Sequence, residues 1–364
     1  MKITKVETIV INMPMLIEGS AVPKQGGVAR TSMDTLLVRV DTDEGVSGWG
    51  EGFGHRIYTA TKAALDSFIG PMCIGRDAAV HSLVDELQRN LTGVGRNGPA
   101  MYALSAIDIA LWDIAGKVAK LPLYRLLGGS PRKSLPAYAS LLRYGEPAAV
   151  TQYVERALKR GYRYIKLHEI TVPPIKAARD AAGHDIPIMV DCNCPWTVAE
   201  AIEMAHKLRP FNLKWLEEPV WPPEDHTGLA RVQAQGFIPT AAGENAMLPE
   251  FKGMFEARAI SYAQPSVTKV GGVTMMRKVM GLADAHGVEV VPHSAYFGPG
   301  LMASIHCIAA MPKGGLVERY DADFAENPLH DAIHPDKNGN IGVPQGPGLG
   351  VEPDMKIVEK LRVR

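Results

Sequence analysis

The sequence predicts an α/β fold in which a small α+β unit precedes a closed parallel barrel of about eight strands. Three observations lead there. Residues up to about 127 read as strands followed by helices. From residue 134 onward, short apolar runs alternate with amphipathic stretches. Polar side chains then recur at the ends of those runs at a nearly constant interval.

Residues 3–11 and 35–40 alternate apolar and polar side chains as antiparallel strands do, and Asp43-Glu44-Gly45 supplies turn chemistry before Gly48-Trp49-Gly50-Glu51. From Tyr58 to about Leu127 the pattern becomes helical. It is clearest over residues 103–119, where apolar positions recur at helical spacing around Asp108 and Asp113. Gly128-Gly129 and Pro131 stop that pattern, so a boundary is expected after residue 128.

The later apolar runs are 135–139, 164–167, 186–190, 213–216, 238–242, 260–263, 288–291 and 316–317. An open doubly wound sheet usually has fewer strands in this length. Each run after the first ends in or near a polar residue: Lys166 or His168, Asp191, Glu217, Glu244, Ser266, His293 and Glu318, at intervals of 22 to 27 residues. One strand, one helix and two loops occupy about that much chain. The active sites of parallel barrels of the TIM type lie at the C-terminal ends of the strands, so these side chains are expected to meet at one mouth. Solvated loop polarity has no reason to keep such a phase.

Composition narrows the function classes. The 364 residues are 46% hydrophobic and 21% charged, as in an ordinary soluble enzyme of one large and one smaller domain. The 39 basic residues are balanced by 39 acidic ones, which leaves no footprint for a nucleic-acid binder or a polybasic membrane anchor. No segment approaches the roughly 20 uninterrupted apolar residues of a membrane span. The first residues are strand-like, without an apolar signal core, and Cys73, Cys192, Cys194 and Cys307 read as free thiols. A cytoplasmic location is the expectation.

Asp191, Glu217 and Glu244 on successive strand ends would repel one another unless a cation neutralised them. An all-oxygen set suits Mg²⁺, with Mn²⁺ as a possible substitute, whereas zinc would recruit His or Cys. Strand alternation turns Asp191 and Asn193 toward the mouth and Cys192 and Cys194 away from it, and Glu218 is expected to face away from the metal. Lys166 and His168 share the inward face of one strand, and His293 comes from the other side of the carboxylates. That arrangement offers a base on either face of a bound α-carbon, with a lysine to stabilise charge on an enediolate.

The segments Tyr164-Ile-Lys-Leu-His-Glu169, Met189-Val-Asp-Cys-Asn193, Trp215-Leu-Glu-Glu-Pro219, Ala242-Gly-Glu-Asn245 and Gln264-Pro-Ser-Val-Thr-Lys-Val-Gly-Gly272 resemble those of the enolase superfamily. The mandelate racemase and muconate lactonizing branch is the one they are most similar to. Gly48-Trp-Gly-Glu51 and Ala106-Ile-Asp-Ile-Ala-Leu-Trp-Asp-Ile-Ala-Gly116 extend the resemblance over nearly the whole chain. It implies a modified TIM barrel, (β/α)₇β, over residues 129–330, under an α+β capping domain formed by residues 1–128. Residues 331–364 would return to the cap. It further implies Asp191, Glu217 and Glu244 as Mg²⁺ ligands, Lys166 as a carboxylate-contacting or proton-transferring group, and Glu318 as a hydrogen-bond donor to the enolate. Asn193 and Lys269 are expected to contact substrate, a small-molecule carboxylate. A homo-oligomer is implied as well.

His168 takes the place of the second lysine in the family's Lys-x-Lys pattern, and His293 matches the histidine of a His–Asp dyad. The dyad's acid falls at Ser266, a departure from the family pattern. The expectation is therefore that His168 abstracts the α-proton while His293 protonates a leaving hydroxyl, which would make a dehydratase of a hydroxy or sugar acid. A racemase or epimerase, a cycloisomerase and a non-catalytic binding protein are the alternatives. The segment 15–30 reads as a lid and Gly52-Phe-Gly-His55 as a second loop over the mouth, with Lys24, Arg30, His55 and Arg56 as candidates for a distal polar group. Gly93-Val-Gly-Arg-Asn-Gly98 fits a dinucleotide fingerprint by letter, but no strand pattern precedes it.

Overall fold

The computed structural model describes residues 1–16, 24–25, 28–29 and 31–363. Three strands, β1 (Ile3–Leu16), β2 (Ser32–Thr42) and β3 (Ser47–Gly52), form an antiparallel sheet in the order β1-β2-β3. Its buried face is covered by α1 (Gly98–Ala119), which Asn97 caps by accepting the amide of Gly98. Helix and sheet approach so closely that a Cβ on Gly48 would lie 2.1 Å from the carbonyl oxygen of Ala110. One on Gly50 would lie 2.0 Å from that of Ala106. Only glycine on the strand opposite alanine on the helix permits that spacing. The helical pattern expected from Tyr58 onward is present but broken, with helices at Tyr58–Ala64, Gly70–Cys73 and Val80–Asn90 ahead of α1. The glycine-rich segment 93–98 follows a helix and a 3-10 turn, so it lacks the strand that a dinucleotide fingerprint needs.

Eight parallel strands follow: β4 (Ser134–Ser140), β5 (Ile165–Leu167), β6 (Ile188–Asp191), β7 (Leu213–Glu217), β8 (Thr240–Ala242), β9 (Tyr262–Ala263), β10 (Glu289–Val290) and β11 (Val317–Tyr320). They pair in chain order, and β11 returns to lie beside β4, which curls the sheet into a barrel. Among the described residues no ladder joins β10 to β11. Side chains bridge that seam instead: the amide of Ser294 donates to Glu318 Oε2 at 2.8 Å, and the Ser294 hydroxyl donates to the Glu318 carbonyl at 3.0 Å.

A separate apolar cluster fills the inside of the barrel, made of Tyr138, Met189, Trp215, Ala241, Val291 and Leu316, with Tyr164 and Tyr262 against it. Strand side chains alternate, so the residue two positions further on faces inward again, one layer nearer the C-terminal mouth. Those residues are Ser140, Lys166, Asp191, Glu217, Gln264, His293 and Glu318. An apolar plug therefore carries a polar layer. Only β8 breaks the rule, because Gly243 adopts a φ of +125°, and Glu244 takes the place that the next residue in phase would have.

Buried acids join the antiparallel unit to the barrel. Glu51 Oε2 accepts the amide of Gly300 at the start of α3 (Pro299–Ala310). Asp108 Oδ1 accepts the amide of Thr274 in α2 (Gly272–His286). Asp113 receives the amides of Trp49 and Leu349 and an ion pair from Lys117 at 2.8 Å. The end of the chain runs back over both parts: Asn340–Gly342 pairs antiparallel with β4, and the Val363 amide donates to the Val10 carbonyl.

Candidate active site

The polar layer opens into a cleft of about 440 Å³ lined by His168, Asn193, Glu244, Lys269, His293 and Glu318, with Phe53 and His55 reaching in from the loop after β3. Lys166, Asp191 and Glu217 lie beneath it, almost wholly buried. The seven strand-end positions predicted from their spacing thus converge. Register explains the contacts. Asp191 and Glu217 are paired Cα partners on β6 and β7, and Ser266 and His293 form a parallel bridge beyond β9 and β10.

Lys166 Nζ stands 2.8 Å from Glu217 Oε1, 2.9 Å from Glu318 Oε1 and 3.4 Å from Asp191 Oδ2. Burial acts to lower its pKa, but the surrounding carboxylates, Glu217 and Glu318 foremost, outweigh that and keep the ammonium charged. The Glu217 carboxyl is pushed well above the usual carboxylate range, first by burial and then by the neighbouring Asp191 charge. Trp215 and Gln264 donate to its second oxygen at 2.9 and 2.6 Å. For Glu244, Lys269 and His293 outweigh burial and hold the carboxyl at about 2. Lys269 Nζ lies 3.0 Å from Glu244 Oε1, 2.9 Å from Asn245 Oδ1 and 4.3 Å from the centre of the Phe53 ring.

The two histidines stand on opposite flanks of the carboxylate row. The Nδ1 of His168 is bonded to the Leu141 carbonyl, and its Nε2 lies 3.2 Å from Asp191 Oδ2. A carbonyl only accepts, so Nδ1 carries a proton, and Nε2, beside Asp191, is the nitrogen that faces the mouth. The Nε2 of His293 lies 3.1 Å from Glu244 Oε2, while its Nδ1 faces Ser266 Oγ at 3.3 Å and the Tyr296 hydroxyl at 3.4 Å. Burial lowers the His293 pKa against the pull of Glu244 and Glu318.

Four expectations need correction. Glu318 is no donor in this arrangement: Lys166 and His293 outweigh burial and hold its carboxyl at about 2, and it accepts from Ser140 Oγ at 2.8 Å and from the Ser294 amide. Cys194 does not turn away from the mouth. Asn193 and Cys194 both adopt φ near +55°, which ends the strand alternation, and Cys194 and Glu218 line the cleft with their side chains 3.8 Å apart. Glu218 does not face away either, because its own φ of +45° turns it into the cleft, where burial and the charge of Glu244 raise its carboxyl to about 8. Arg56 is exposed at φ +58° and is not among the residues lining the cleft. Of the expected lid, residues 17–23, 26–27 and Arg30 lie outside the described residues, and for Lys24 the structure describes the backbone, paired with Ala29. Asn193 donates to Asp191 Oδ1 through its side chain at 2.8 Å.

Sequence reasoning missed Ser140, Gln264, Tyr296 and Arg143. Arg143 donates to the carbonyls of His168 and Cys192 and to Asn193 Oδ1, tying two strand ends together beside the cleft. A signal for it existed. Arg143 falls three residues after its strand, as Ser266 and His293 do.

Whether these residues suit a metal ion can be judged from charge and donor type. Asp191, Glu217 and Glu318 are buried with Lys166 and Lys269, and Glu218 and Glu244 line the cleft beside them. That excess of negative charge, with the repulsion that raises Glu217, is what a divalent cation relieves, and oxygen donors fit Mg²⁺. Among the described residues no three His, Cys, Asp or Glu side chains close into a ready-made cage, and Lys166 and Lys269 are paired with the carboxylates instead. The donor set fits the ion in type and charge.

Comparison with known proteins agrees with this geometry. Residues 17–128 match the mandelate racemase / muconate lactonizing enzyme N-terminal domain, and residues 149–357 match the enolase C-terminal domain-like family. The chain is 33% identical over 350 residues to a D-galactarolactone cycloisomerase of Agrobacterium fabrum, covering 90% of this chain and 91% of that one. It is 30% identical over 340 residues to an arabinonate dehydratase of Saccharolobus solfataricus, covering 89% of each. Among solved structures, a racemase from Streptomyces coelicolor with bound magnesium superposes with a TM-score of 0.85 at 29% identity, over 99% of this chain and 100% of that one. The chain belongs to the mandelate racemase and muconate lactonizing enzyme family of the enolase superfamily.

Proposed function

We propose that this protein removes the proton α to the carboxylate of a sugar acid or related hydroxy acid and eliminates a β-hydroxyl from the resulting enediolate. The observation that carries the reading is the pair of histidines on opposite flanks of the carboxylate row, with Lys166 buried between Asp191, Glu217 and Glu318. Asp191, Glu217 and Glu244 would hold Mg²⁺. When bound, the ion supplies the positive charge that makes the α-proton acidic.

The other steps belong to the chain's own residues. His168 Nε2 takes the α-proton, its tautomer fixed by the Leu141 carbonyl. Lys166 Nζ stabilises the charge that develops on a carboxylate oxygen. Glu318, ionised, keeps Lys166 charged and aimed. His293, on the far flank, passes a proton from Nε2 to the leaving oxygen. Lys269, Asn193 and His55 meet the hydroxyls of the substrate, and residues 1–128 act as the cap over the mouth.

A cycloisomerase shares the first step and differs in whether the departing oxygen belongs to a hydroxyl or a ring. The 33% identity to a D-galactarolactone cycloisomerase supports it as the second reading. Racemisation needs a competent base on each face, and the hydroxyl groups against His293 favour it less than a carboxylate would. The test is incubation of the Mg²⁺-loaded protein in D₂O with a panel of sugar acids and their lactones, followed by NMR. Deuterium at the α-carbon with loss of a β-hydroxyl is expected. Absence of exchange across the panel, with Mg²⁺ bound, would overturn the proposal.

A further inference from the structure

Arg143 is fixed in place but not neutralised. It follows β4 and lines the cleft together with Leu142, and Tyr320 of the adjoining β11 stands on the same flank. Its Nε donates to the His168 carbonyl. Its Nη2 donates to the Cys192 carbonyl and to Asn193 Oδ1, both at 3.2 Å. Those bonds take the hydrogen of Nε and both hydrogens of Nη2. A guanidinium has five N–H donors, so the two on Nη1 are left without a partner among the described residues.

All three acceptors are uncharged. Lys269, which also lines the cleft, is paired with Glu244, and Lys166 beneath it is paired with three carboxylates. Arg143 makes no ion pair among the described residues. Asn193 stands between it and Asp191, accepting from Arg143 and donating to Asp191 Oδ1 at 2.8 Å. The turn that follows is anchored too: the buried Glu169 receives the amides of Tyr144 at 2.8 Å and Gly145 at 3.2 Å. Tying carbonyls together needs hydrogen-bond donors, which an uncharged amide also supplies. It does not need a positive charge kept at the wall of the cleft.

The strand order says what would approach that charge. In the ring of eight strands β4 lies opposite β8, whose end carries Glu244. The proposed Mg²⁺ ligands stand at the ends of β6, β7 and β8, and the two histidines follow β5 and β10. A substrate with its carboxylate over β6 to β8 and its α-carbon between the histidines therefore continues toward β11 and β4. We infer that Arg143 is a specificity-determining residue that receives a second carboxylate at the far end of the substrate, so that the preferred substrate is a sugar diacid. This rests on the proposed elimination and names its substrate class. A carboxylate matches the planar guanidinium and forms charge-assisted bonds with it. A monoacid brings a hydroxymethyl group to the same place. That group can meet one N–H, but it leaves the charge unpaired once the substrate has displaced water from the cleft.

The test compares aldarates with aldonates matched in chain length and configuration, so that each pair differs only at the far end. In the wild type, kcat/KM should be at least about tenfold higher for the aldarate. Arg143→Gln keeps donors for the strand-end carbonyls and removes the charge. It should lose about 10- to 100-fold on aldarates and stay within about threefold on aldonates. Arg143→Lys, which restores a point charge without the fork, should fall between. Calorimetric Kd values in the His168→Gln background, with and without Arg143→Gln, should follow the same pattern without turnover. Equal treatment of the two classes by the wild type would overturn the inference. So would equal losses on both in Arg143→Gln, the result of a purely structural tie. Aldarates bound tightly through Arg143 but exchanging no α-proton in the wild type would refute the elimination and leave this assignment standing. Elimination from aldonates with aldarates rejected would do the reverse.

Discussion

The reading of the site stands or falls on the unequal roles of its two histidines, and His168→Gln is the perturbation that separates them. Glutamine keeps much of the imidazole's length and its side-chain amide can still donate to the Leu141 carbonyl, so Arg143 and the strand end retain their partners. What disappears is Nε2, the titratable ring nitrogen that faces the mouth 3.2 Å from Asp191. A positioned general base contributes about 10²- to 10⁴-fold. At about 1.4 kcal/mol per decade this is roughly 3 to 5 kcal/mol of barrier. The other strand-end imidazole is His293, on the far side of the row, with its Nε2 3.1 Å from Glu244. Rescue from that side is therefore not expected. α-Proton exchange in D₂O should fall at least about 100-fold in His168→Gln. In His293→Gln it should persist while product formation falls. The two rates are read by NMR on one sample, with the folded state checked by thermal melting. Exchange at the wild-type rate in His168→Gln, or equal loss of exchange in both variants, would refute the assignment.

Three further outcomes follow from the structure. Saturating Mg²⁺, at about 100 times its Kd, should stabilise the folded protein by about 2.7 kcal/mol. For 364 residues this is a rise in Tm of about 3–4 °C, lost in Asp191→Asn with Glu244→Gln, and an unchanged shift in that variant would refute the ligand set. Burial, outweighing the Gly300 and Gly298 amides, raises Glu51 from an ordinary 4.5 to about 7. The folded state then keeps a proton that the unfolded chain has released, so this contribution is full below about pH 4.5 and is lost as pH rises to about 7. Glu51→Gln should flatten the fall of Tm across that window by an amount worth about 3 kcal/mol, measured against wild type at each pH. Gly50→Ala would drive a methyl to 2.0 Å from the Ala106 carbonyl oxygen and should cost about 3 kcal/mol or more, read as the midpoint of urea unfolding.

What the sequence made legible was the periodic part of the molecule. Strand ends recurring every 22 to 27 residues are a property of the barrel's repeating unit, so Asp191, Glu217, Glu244 and His293 could be placed before any coordinates. The two-residue alternation beneath them was equally available, and it would have found Gln264 from Tyr262 and Ser140 from Tyr138. Those residues escaped notice because an uncharged side chain at a strand end does not stand out. Alternation misled where backbone geometry departed from the strand. Three non-glycine residues in the left-handed region, Asn193, Cys194 and Glu218, are set by loop packing that periodicity does not encode, and they reversed the expected facing of Cys194 and Glu218. Tyr296 was invisible for another reason: its hydroxyl meets Ser266, 30 residues away, through a contact that only the closed barrel makes. Glu318 stands here as an acceptor because Lys166, 152 residues earlier in the chain, lies 2.9 Å away and holds it ionised, a pairing that only the closed barrel makes.

The side-chain bridge across the barrel's seam ties upkeep of the site to the breathing of the scaffold. Elsewhere in the ring, neighbouring strands are held by main-chain ladders. Between β10 and β11 the described ties pass through Glu318, whose other oxygen contacts Lys166. Local opening at that joint and dispersal of the Lys166 cluster are consequently one event. The amide proton of Ser294 is then a built-in gauge, and its exchange with solvent reports how often the catalytic wall comes apart, without substrate or turnover.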